Sequence, residues 1–169
     1  MNWLVTGGAG FIGSHIAETL VRRGERVRVA DNLVTGRQRN LTGFAEGLEL
    51  VEGDLADPEV AARCVDGVAY VLHQAALPSV PRSVADPLAC HHNCVTATVA
   101  LLEAARRAGV RRVVLASSSS VYGDQPALPK VETQTPEPRS PYAAAKLACE
   151  GYAAAFSRVH GLSTVSLRY

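Results

Sequence analysis

The chain has 169 residues, of which 47% are hydrophobic and 5% aromatic, and its 17 basic and 16 acidic residues leave a net charge of +1. This length suits one domain with a sizeable core, and the near-neutral charge gives no electrostatic reason to expect nucleic acid or an anionic membrane as a partner. The sequence has neither a basic-then-apolar signal segment nor an apolar run of membrane-spanning length, so we expect a cytoplasmic protein.

Short β-branched runs alternate with longer helix-compatible stretches along the chain, the pattern of a parallel sheet covered by helices. Strands are predicted at residues 3–6, 26–30, 48–52, 68–73, 112–116 and 163–168. Helices are predicted at residues 11–23, 58–64, 87–108 and from 141 onward. We therefore expect one α/β domain over residues 1–169, a doubly wound Rossmann sheet in the strand order 3-2-1-4-5-6.

A glycine-rich turn, Gly-Gly-Ala-Gly-Phe-Ile-Gly over residues 7–13, follows the first predicted strand and opens the first helix. Gly7 permits a tight turn, Gly10 lets the backbone approach a pyrophosphate, and Gly13 lets the helix lie close to the sheet. The helix N-terminus offers N–H donors to the phosphates. This turn, between a strand and a helix, predicts a bound dinucleotide.

Asp31, at the end of the second strand and about 20 residues after the glycines, indicates which dinucleotide binds. A carboxylate there accepts hydrogen bonds from the ribose hydroxyls and repels a 2′-phosphate. We therefore predict NAD rather than NADP, a preference that the nearby Arg37 and Arg39 would weaken.

Two later strand ends fit the rest of a dinucleotide. After the third strand, Asp54 either accepts from the adenine amino group, with Leu55 packed on the ring, or caps the next helix. The fourth strand ends at His73, and the Gln-Ala-Ala that follows keeps side chains small where a cofactor would pass. His73 itself is expected to be a satisfied core histidine rather than a catalyst.

The helix predicted at residues 87–108 holds the run Cys90-His91-His92-Asn93-Cys94. Thiols and imidazoles bind zinc, but a structural site needs four convergent ligands, and adjacent histidines point to different helix faces. We expect no metal site. The four cysteines of the chain form no Cys-x-x-Cys pair, which predicts free thiols in a reducing compartment.

The segment of residues 123–141 carries five prolines and no clear periodicity, and an ordered connection of this length is usually functional. In the helix that follows, Tyr142 and Lys146 lie four residues apart and share a face. An ammonium beside the phenol favours its ionised form, which predicts a lowered Tyr142 pKa and an acid or base near neutral pH. Tyr-x-x-x-Lys is a weak pattern, and the spacing alone favours a surface tyrosine and a solvated lysine.

Together these motifs resemble the extended short-chain dehydrogenase/reductase family, and within it the UDP-glucose 4-epimerase type. The resemblance runs along the whole chain, with the motifs in family order. It is carried by residues 6–15, Asp31-Asn32-Leu33, Gly53-Asp54-Leu55, His73-Gln74-Ala75-Ala76, residues 117–124, the Ser-Pro-Tyr-x-x-x-Lys of residues 140–146 and Leu167-Arg168-Tyr169.

The resemblance implies a catalytic triad of Ser118, Tyr142 and Lys146, with Ser119 as the alternative because four serines stand in a row. In that family the tyrosine takes the proton from the sugar 4-hydroxyl while C4 gives hydride to NAD. The lysine lowers the tyrosine pKa, helped by the cationic ring of NAD, and holds the nicotinamide ribose. The serine hydrogen-bonds the reacting oxygen. The implied substrate is a UDP-sugar, either UDP-glucose and UDP-galactose or their N-acetylated equivalents.

The glycine turn, the strand ends and the resemblance together give the expected NAD site. Its residues are Gly7, Gly10, Phe11, Ile12, Gly13, Asp31, Asn32, Asp54, Leu55, Gln74, Ala75, Ala76, Asn93, Tyr142 and Lys146. One position departs from the family pattern: Ala97 stands where a glycine often follows the asparagine of the long helix.

Two alternatives stay open within the family and one outside it. Sugar-nucleotide 4,6-dehydratases resemble this layout but carry acidic residues just before Val-Tyr-Gly, where this chain has Ser119 and Ser120. A simple NAD-dependent reductase would consume NADH. A non-catalytic NAD-binding domain would bind the cofactor and turn over no nucleotide sugar.

The length departs from the family as well. In the family, Leu-Arg-Tyr is followed by a C-terminal portion that binds the nucleotide and sugar, and this sequence ends at Tyr169. The resemblance therefore implies an N-terminal portion that binds NAD but turns over weakly or not at all, unless another chain supplies the missing half. A homodimer through the helices near 87–108 and 141–160 is the expected assembly.

Overall fold

The structure, a computed structural model, describes residues 2–169. Six parallel strands form one sheet in the order β3-β2-β1-β4-β5-β6, which confirms the predicted topology. The strands are β1 (Asn2–Thr6), β2 (Arg26–Asp31), β3 (Leu48–Glu52), β4 (Tyr70–His73), β5 (Arg112–Ala116) and β6 (Ser163–Leu167).

The α-helices cover both faces of the sheet and lie at the predicted positions, apart from one short addition and one interruption. They are α1 (Phe11–Arg22), α2 (Pro58–Val65), α3 (Val80–Ala85), α4 (Pro87–His91), α5 (Ala97–Arg107) and α6 (Pro141–His160). Four of them start in the same way, with proline in the first turn and a preceding serine or aspartate that accepts a hydrogen bond from a first-turn N–H: Asp57, Ser79, Asp86 and Ser140.

The helix predicted at residues 87–108 is interrupted. Between α4 and α5 the chain forms a π-helical turn, His92–Thr96, so the expectation of one regular helix is wrong at its centre. The hydroxyl of Thr98 donates to the carbonyl oxygen of Cys94 at 2.6 Å, which gives this carbonyl a partner inside the widened turn.

Strand β4 starts two residues later than predicted because the turn after α2 extends further. Gly67 has a positive φ of 66°, and the N–H of Val68 still bonds to Val65 at 3.0 Å. Helix α3 and the two 3-10 segments, Gln38–Gly47 and Ser119–Tyr122, were not predicted, since short elements carry little periodicity.

Two hydrophobic clusters lie on the two faces of the sheet. Successive residues of β1 point to opposite faces, so Leu4 belongs to the cluster under α2, α5 and α6, and Val5 to the cluster under α1. Within residues 2–169, no helix combines the length and the apolar character needed to cross a membrane.

Candidate active site

One cavity of about 490 Å³ opens where β1 to β5 end. A doubly wound sheet offers its ligand site at this edge, because the connections leave from the strand ends to opposite faces. The cavity wall includes every residue predicted for the cofactor or for catalysis: Gly7, Gly10, Phe11, Ile12, Gly13, Asp31, Asn32, Asp54, Leu55, Gln74, Ala75, Ala76, Asn93, Ser118, Tyr142 and Lys146.

The glycine turn forms the floor of this cavity. Gly7 has φ +63°, and a Cβ there would lie 2.8 Å from the backbone of Ala75, so only glycine fits against the end of β4. A Cβ on Gly13 would overlap the carbonyl oxygen of Gly7, the residue that directly follows β1, so the start of α1 can lie this close to the strand end only with glycine at position 13. Gly10 is less confined, with Gly7 O at 3.1 Å from its Cβ position.

Helix α1 begins at this turn without a side-chain cap among the described residues. Its N-cap is Gly10, and the N–H groups of the first turn have no carbonyl partners within the helix. These donors and the positive end of the helix dipole suit the negative oxygens of a pyrophosphate.

Asp31 is fixed by backbone donors at the end of β2. Its Oδ2 accepts from the N–H of Ala9 at 2.9 Å, and its Oδ1 accepts from the N–H of Leu33 at 2.8 Å. Each carboxylate oxygen keeps a further lone pair, which a ribose hydroxyl can use. Arg37 and Arg39 are exposed on the following segment, outside the cavity wall.

Asp54 does not cap α2; Asp57 does, so the capping alternative is wrong. The Oδ1 of Asp54 accepts from the N–H of Ala56 at 2.9 Å, and its Oδ2 lies 2.7 Å from Nε2 of His92. Burial raises the pKa of Asp54, but the hydrogen bonds from Ala56 and His92 outweigh it and lower the pKa below its ordinary value. The sequence motifs did not point to this role of His92, because the contact joins distant parts of the chain.

His73 is a satisfied core histidine, as predicted. Its Nε2 lies 3.0 Å from the hydroxyl of Thr98, and its Nδ1 lies 2.6 Å from the hydroxyl of Thr6. Since Thr98 gives its hydrogen to Cys94, the imidazole must donate from Nε2 and accept at Nδ1. Burial and the charge of Lys146 lower the pKa of His73 to about 3, which keeps the ring neutral.

Asn93, in the π-helical turn, also lies on the cavity wall. Its Nδ2 donates to the carbonyl of Ala89 at 2.9 Å, and its Oδ1 lies 3.4 Å from Nδ2 of Asn32. Ala97 is buried beside it and lines the cavity as well, so the methyl group in place of the family's glycine faces the space meant for the cofactor.

Ser118 and Tyr142 approach each other across the cavity, from the end of β5 and the first turn of α6. Ser118 accepts hydrogen bonds from the N–H of Ser120 at 3.1 Å and from its hydroxyl at 2.8 Å. Ser119 is exposed and lies outside the cavity wall, so the geometry favours Ser118. The backbone of Tyr142 contacts Ser83 of α3, whose hydroxyl accepts a hydrogen bond from the Tyr142 N–H at 3.1 Å.

Lys146 is 5% exposed, one turn of α6 beyond Tyr142. Its Nζ donates to the carbonyl of Ala116 at 2.8 Å and lies 5.8 Å from the centre of the Tyr142 ring. The ammonium therefore lies between the carbonyl at the end of β5 and the face of the Tyr142 ring.

The pKa of Tyr142 moves in the opposite direction from the one predicted. Burial raises it above its ordinary value, the thiols of Cys94, Cys90 and Cys149 add to the rise, and the hydrogen bond with Ser118 lowers it by less. The protein's own groups therefore keep the phenol protonated at neutral pH. The spacing of Tyr142 and Lys146 shows an ammonium near the phenol, but it does not show how deeply the phenol is buried, and burial disfavours its charged form.

A charged network that sequence analysis missed lies behind Ser118. The hydroxyl of Ser117 donates to Glu150 of α6, and Arg168 after β6 forms a bidentate pair with the same carboxylate at 2.9 and 2.7 Å. Arg168 also lies 4.9 Å from the centre of the Tyr122 ring. The network ties the ends of β5 and β6 to α6, the helix that carries Tyr142 and Lys146.

The four cysteines are free and buried, at positions 64, 90, 94 and 149. Within residues 2–169, no cluster of three or more histidine, cysteine or acidic side chains has a geometry that could hold a metal ion. Cys149 instead lies 3.4 Å from the carbonyl of Cys94, where its thiol donates a weak hydrogen bond between α6 and the π-helical turn.

Comparisons with known proteins place the chain in the same kind of family as the sequence motifs do. Residues 3–169 match the model of the NAD dependent epimerase/dehydratase family. A UDP-glucose 4-epimerase of Streptomyces lividans is 40% identical over 170 aligned residues, which are 99% of this chain and 51% of that protein. The chain thus spans about half the length of the curated relatives it matches.

Solved structures agree in fold along the whole chain. The NAD complex of the UDP-glucose 4-epimerase of Thermus thermophilus superposes with a TM-score of 0.93 at 44% identity, covering 100% of this chain and 55% of that one. A dTDP-glucose 4,6-dehydratase of Streptomyces venezuelae, with NAD and TYD bound, gives 0.95 at 38% identity, covering 99% and 55%. The cofactor named in both structures, and in the family description, is NAD.

Proposed function

Because this chain belongs to the NAD dependent epimerase/dehydratase family, of which it carries the residues of the UDP-glucose 4-epimerase type, we propose that it binds NAD and performs the chemistry of a nucleotide-sugar 4-epimerase. The observation that carries the proposal is that Ser118, Tyr142 and Lys146 line the same cavity as the glycine turn and Asp31. The cofactor site and the reacting groups therefore face one space.

The residues of the cavity fit NAD. The close approach of Gly7 to Ala75 and the confined position of Gly13 leave a groove bounded by backbone, in which a pyrophosphate can reach the first-turn N–H groups of α1. Asp31 offers carboxylate lone pairs at the end of β2, where the adenosine ribose of a dinucleotide lies. A 2′-phosphate would meet this negative charge, so NAD is favoured over NADP.

When bound, NAD would supply a hydride acceptor for C4 of the sugar, and its cationic ring would favour the phenolate of Tyr142. Tyr142 takes the proton of the 4-hydroxyl, and Ser118 donates a hydrogen bond to the same oxygen as charge develops on it. Lys146 places a positive charge beside the phenol and stabilises its ionised form. Tyr142 would return the proton to the same oxygen when the 4-keto sugar is reduced at C4 from its other face, so the reaction would consume no cofactor overall.

The residues beside Ser118 favour epimerisation over elimination of water. A 4,6-dehydratase needs an additional acid and base near C5 and C6, and this chain has Ser119 and Ser120 where the resemblance places those groups in dehydratases. The proposed substrates are UDP-glucose and UDP-galactose or their N-acetylated equivalents. The second candidate is a non-catalytic NAD-binding domain, because the cofactor residues that line the cavity could bind NAD without turnover of a nucleotide sugar.

The test is conversion of UDP-galactose to UDP-glucose in the presence of NAD. It is run on the 169-residue chain and on a chimera in which this chain replaces the matching part of the Thermus thermophilus relative. We expect the chimera to convert the sugar without net NADH formation, and Tyr142→Phe to lower kcat by roughly 100-fold or more.

Three other results would change the assignment. A chimera that binds NAD but converts no nucleotide sugar supports the non-catalytic alternative. Net consumption of NADH indicates a reductase, and release of a 4-keto-6-deoxy sugar indicates a dehydratase.

A further inference from the structure

His92 and Asp54 meet at one end of the cavity, although 38 residues separate them in the chain. His92 lies in the π-helical turn, and its Nε2 is 2.7 Å from Oδ2 of Asp54, which follows β3. The two side chains are half-exposed, at 51% and 43%. Neither helix capping nor the packing of the core accounts for this pair.

The pair fixes the orientation of the Asp54 carboxylate. With Oδ1 held by the N–H of Ala56 at 2.9 Å and Oδ2 held by His92, both oxygens have a donor and the side chain cannot rotate without losing one. Each oxygen keeps a lone pair for a third donor. Asp54 and its neighbour Leu55 are both on the cavity wall, so a carboxylate edge and an apolar surface lie side by side there.

The proposed occupant of this end is the adenine of NAD, and its 6-amino group is a hydrogen-bond donor. A flat ring packed on Leu55 would bring such a donor to Asp54, whereas a 6-oxopurine would present an acceptor to the same carboxylate. A site that orients an acceptor toward an amino group discriminates against a ligand that lacks this group.

We propose that His92 is a positioning residue for the cofactor: it holds the Asp54 carboxylate in place to accept a hydrogen bond from the adenine amino group, and so favours 6-aminopurine over 6-oxopurine dinucleotides. The inference rests on the proposed binding of NAD. The N–H of Nε2 is the donor in this contact, because an ionised carboxylate oxygen only accepts.

His91 provides a matched control one position earlier. It is exposed as His92 is, and the hydrogen bonds described for residues 2–169 place no contact between it and Asp54. Replacement of His91 therefore removes the neighbouring imidazole, at the end of α4, without changing the contact to the carboxylate.

The experiment measures dissociation constants by calorimetry for NAD and for nicotinamide hypoxanthine dinucleotide, in which an oxo group replaces the 6-amino group. The variants are His92→Ala, His92→Gln, His91→Ala and Asp54→Ala. We expect the unchanged chain to prefer NAD and His92→Ala to reduce this preference by about three- to tenfold. His92→Gln, which keeps an N–H donor, should restore most of it, and His91→Ala should leave it unchanged.

The double variant of His92 and Asp54 separates positioning from a general structural effect. We expect His92→Ala to change the preference no further once Asp54 is alanine, because the histidine acts through the carboxylate. The inference is overturned if His92→Ala weakens both dinucleotides equally or leaves their ratio unchanged. Failure of the unchanged chain to bind either dinucleotide would instead overturn the proposed function, and the inference with it.

Discussion

The acidity of Tyr142 is decided by two opposing influences at the residue scale. Burial of the phenol raises its pKa, and the hydrogen bond with Ser118 lowers it by less. In the proposed chemistry the ammonium of Lys146, 5.8 Å from the ring centre, adds to the stabilisation of the ionised form. A proton acceptor must be ionised, so the proposed chemistry speeds up as pH rises through the Tyr142 pKa.

We predict that Lys146→Met moves the rise of kcat to higher pH, because the phenolate loses the positive charge 5.8 Å from its ring centre. The pH profile of the chimera at saturating NAD measures this shift. Lys130→Met is the matched control, since it removes the only other lysine of the chain, which lies in the proline-rich connection. An unshifted profile for Lys146→Met would contradict the assigned role of the ammonium.

The two neighbouring serines give a second prediction. Ser118 lines the cavity and hydrogen-bonds Tyr142, whereas Ser119 is exposed outside it. Ser118→Ala should lower kcat by roughly 100-fold, the usual effect of removing one donor to a developing oxyanion. Ser119→Ala should leave kcat nearly unchanged, and the reverse ranking in steady-state assays would move the triad by one position.

The residues predicted from sequence are those that local motifs define. Gly7 follows β1 and Asp31 ends β2, so both belong to one βαβ unit. Their distance along the sequence therefore already indicates that they lie at the same edge of the sheet. His92 and Glu150 escaped prediction because their partners come from other elements. Their roles depend on which side chains the sheet order brings together, and one sequence does not contain that information locally.

At the element scale, the ion pair of Glu150 and Arg168 holds three elements together behind the active site. The two side chains are 13% and 21% exposed, so water screens the pair only in part. Burial raises the pKa of Glu150, but the hydrogen bonds from Arg168 and Ser117 lower it overall. Folding therefore favours the ionised carboxylate.

We predict that Glu150→Gln lowers the free energy of unfolding at pH 7 by about 2 kcal/mol, because Arg168 loses a bidentate partner in a half-buried setting. A carboxyl whose pKa is lowered on folding stabilises the fold above its unfolded pKa, and this stabilisation disappears as pH falls through the folded pKa. The gap between the variant and the unchanged chain should therefore close below the ordinary glutamate pKa of 4.5.

Urea unfolding as a function of pH measures this gap. Glu103→Gln is the matched control, because Glu103 pairs with Arg106 and Arg107 on the exposed face of α5 and should change stability little. Equal effects of the two replacements, or a gap that persists in acid, would show that the Glu150 pair does not stabilise the fold as argued.

The elements themselves were largely predictable, and the exceptions have physical reasons. Long helices such as α6 show their first-turn proline, their serine cap and their closing glycine in the sequence. The π-helical turn His92–Thr96 has no such signal in the sequence. Its hydrogen bond from Thr98 to the Cys94 carbonyl depends on side-chain contacts, which the pattern of hydrophobic residues does not show. Helix α3 is too short for periodicity, yet its Ser83 supports Tyr142.

At the scale of the molecule, the strand order could be predicted because parallel strands joined by right-handed crossovers leave few arrangements. The homodimer through residues 87–108 and 141–160 stays a prediction; these helices expose Leu88, Tyr152 and Val159. The volume of the cavity and the reversed pKa direction of Tyr142 could not be read from the sequence, since both depend on how closely α6 packs on the sheet.

The central claim is that this chain folds into an NAD site whose specificity comes from Asp31. Titration calorimetry of the 169-residue chain with NAD and with NADP tests it directly. We predict saturable binding of NAD, binding of NADP weaker by at least about tenfold, and loss of this difference in Asp31→Ala. Absence of NAD binding by the folded chain, or equal affinity for both dinucleotides, would contradict the account.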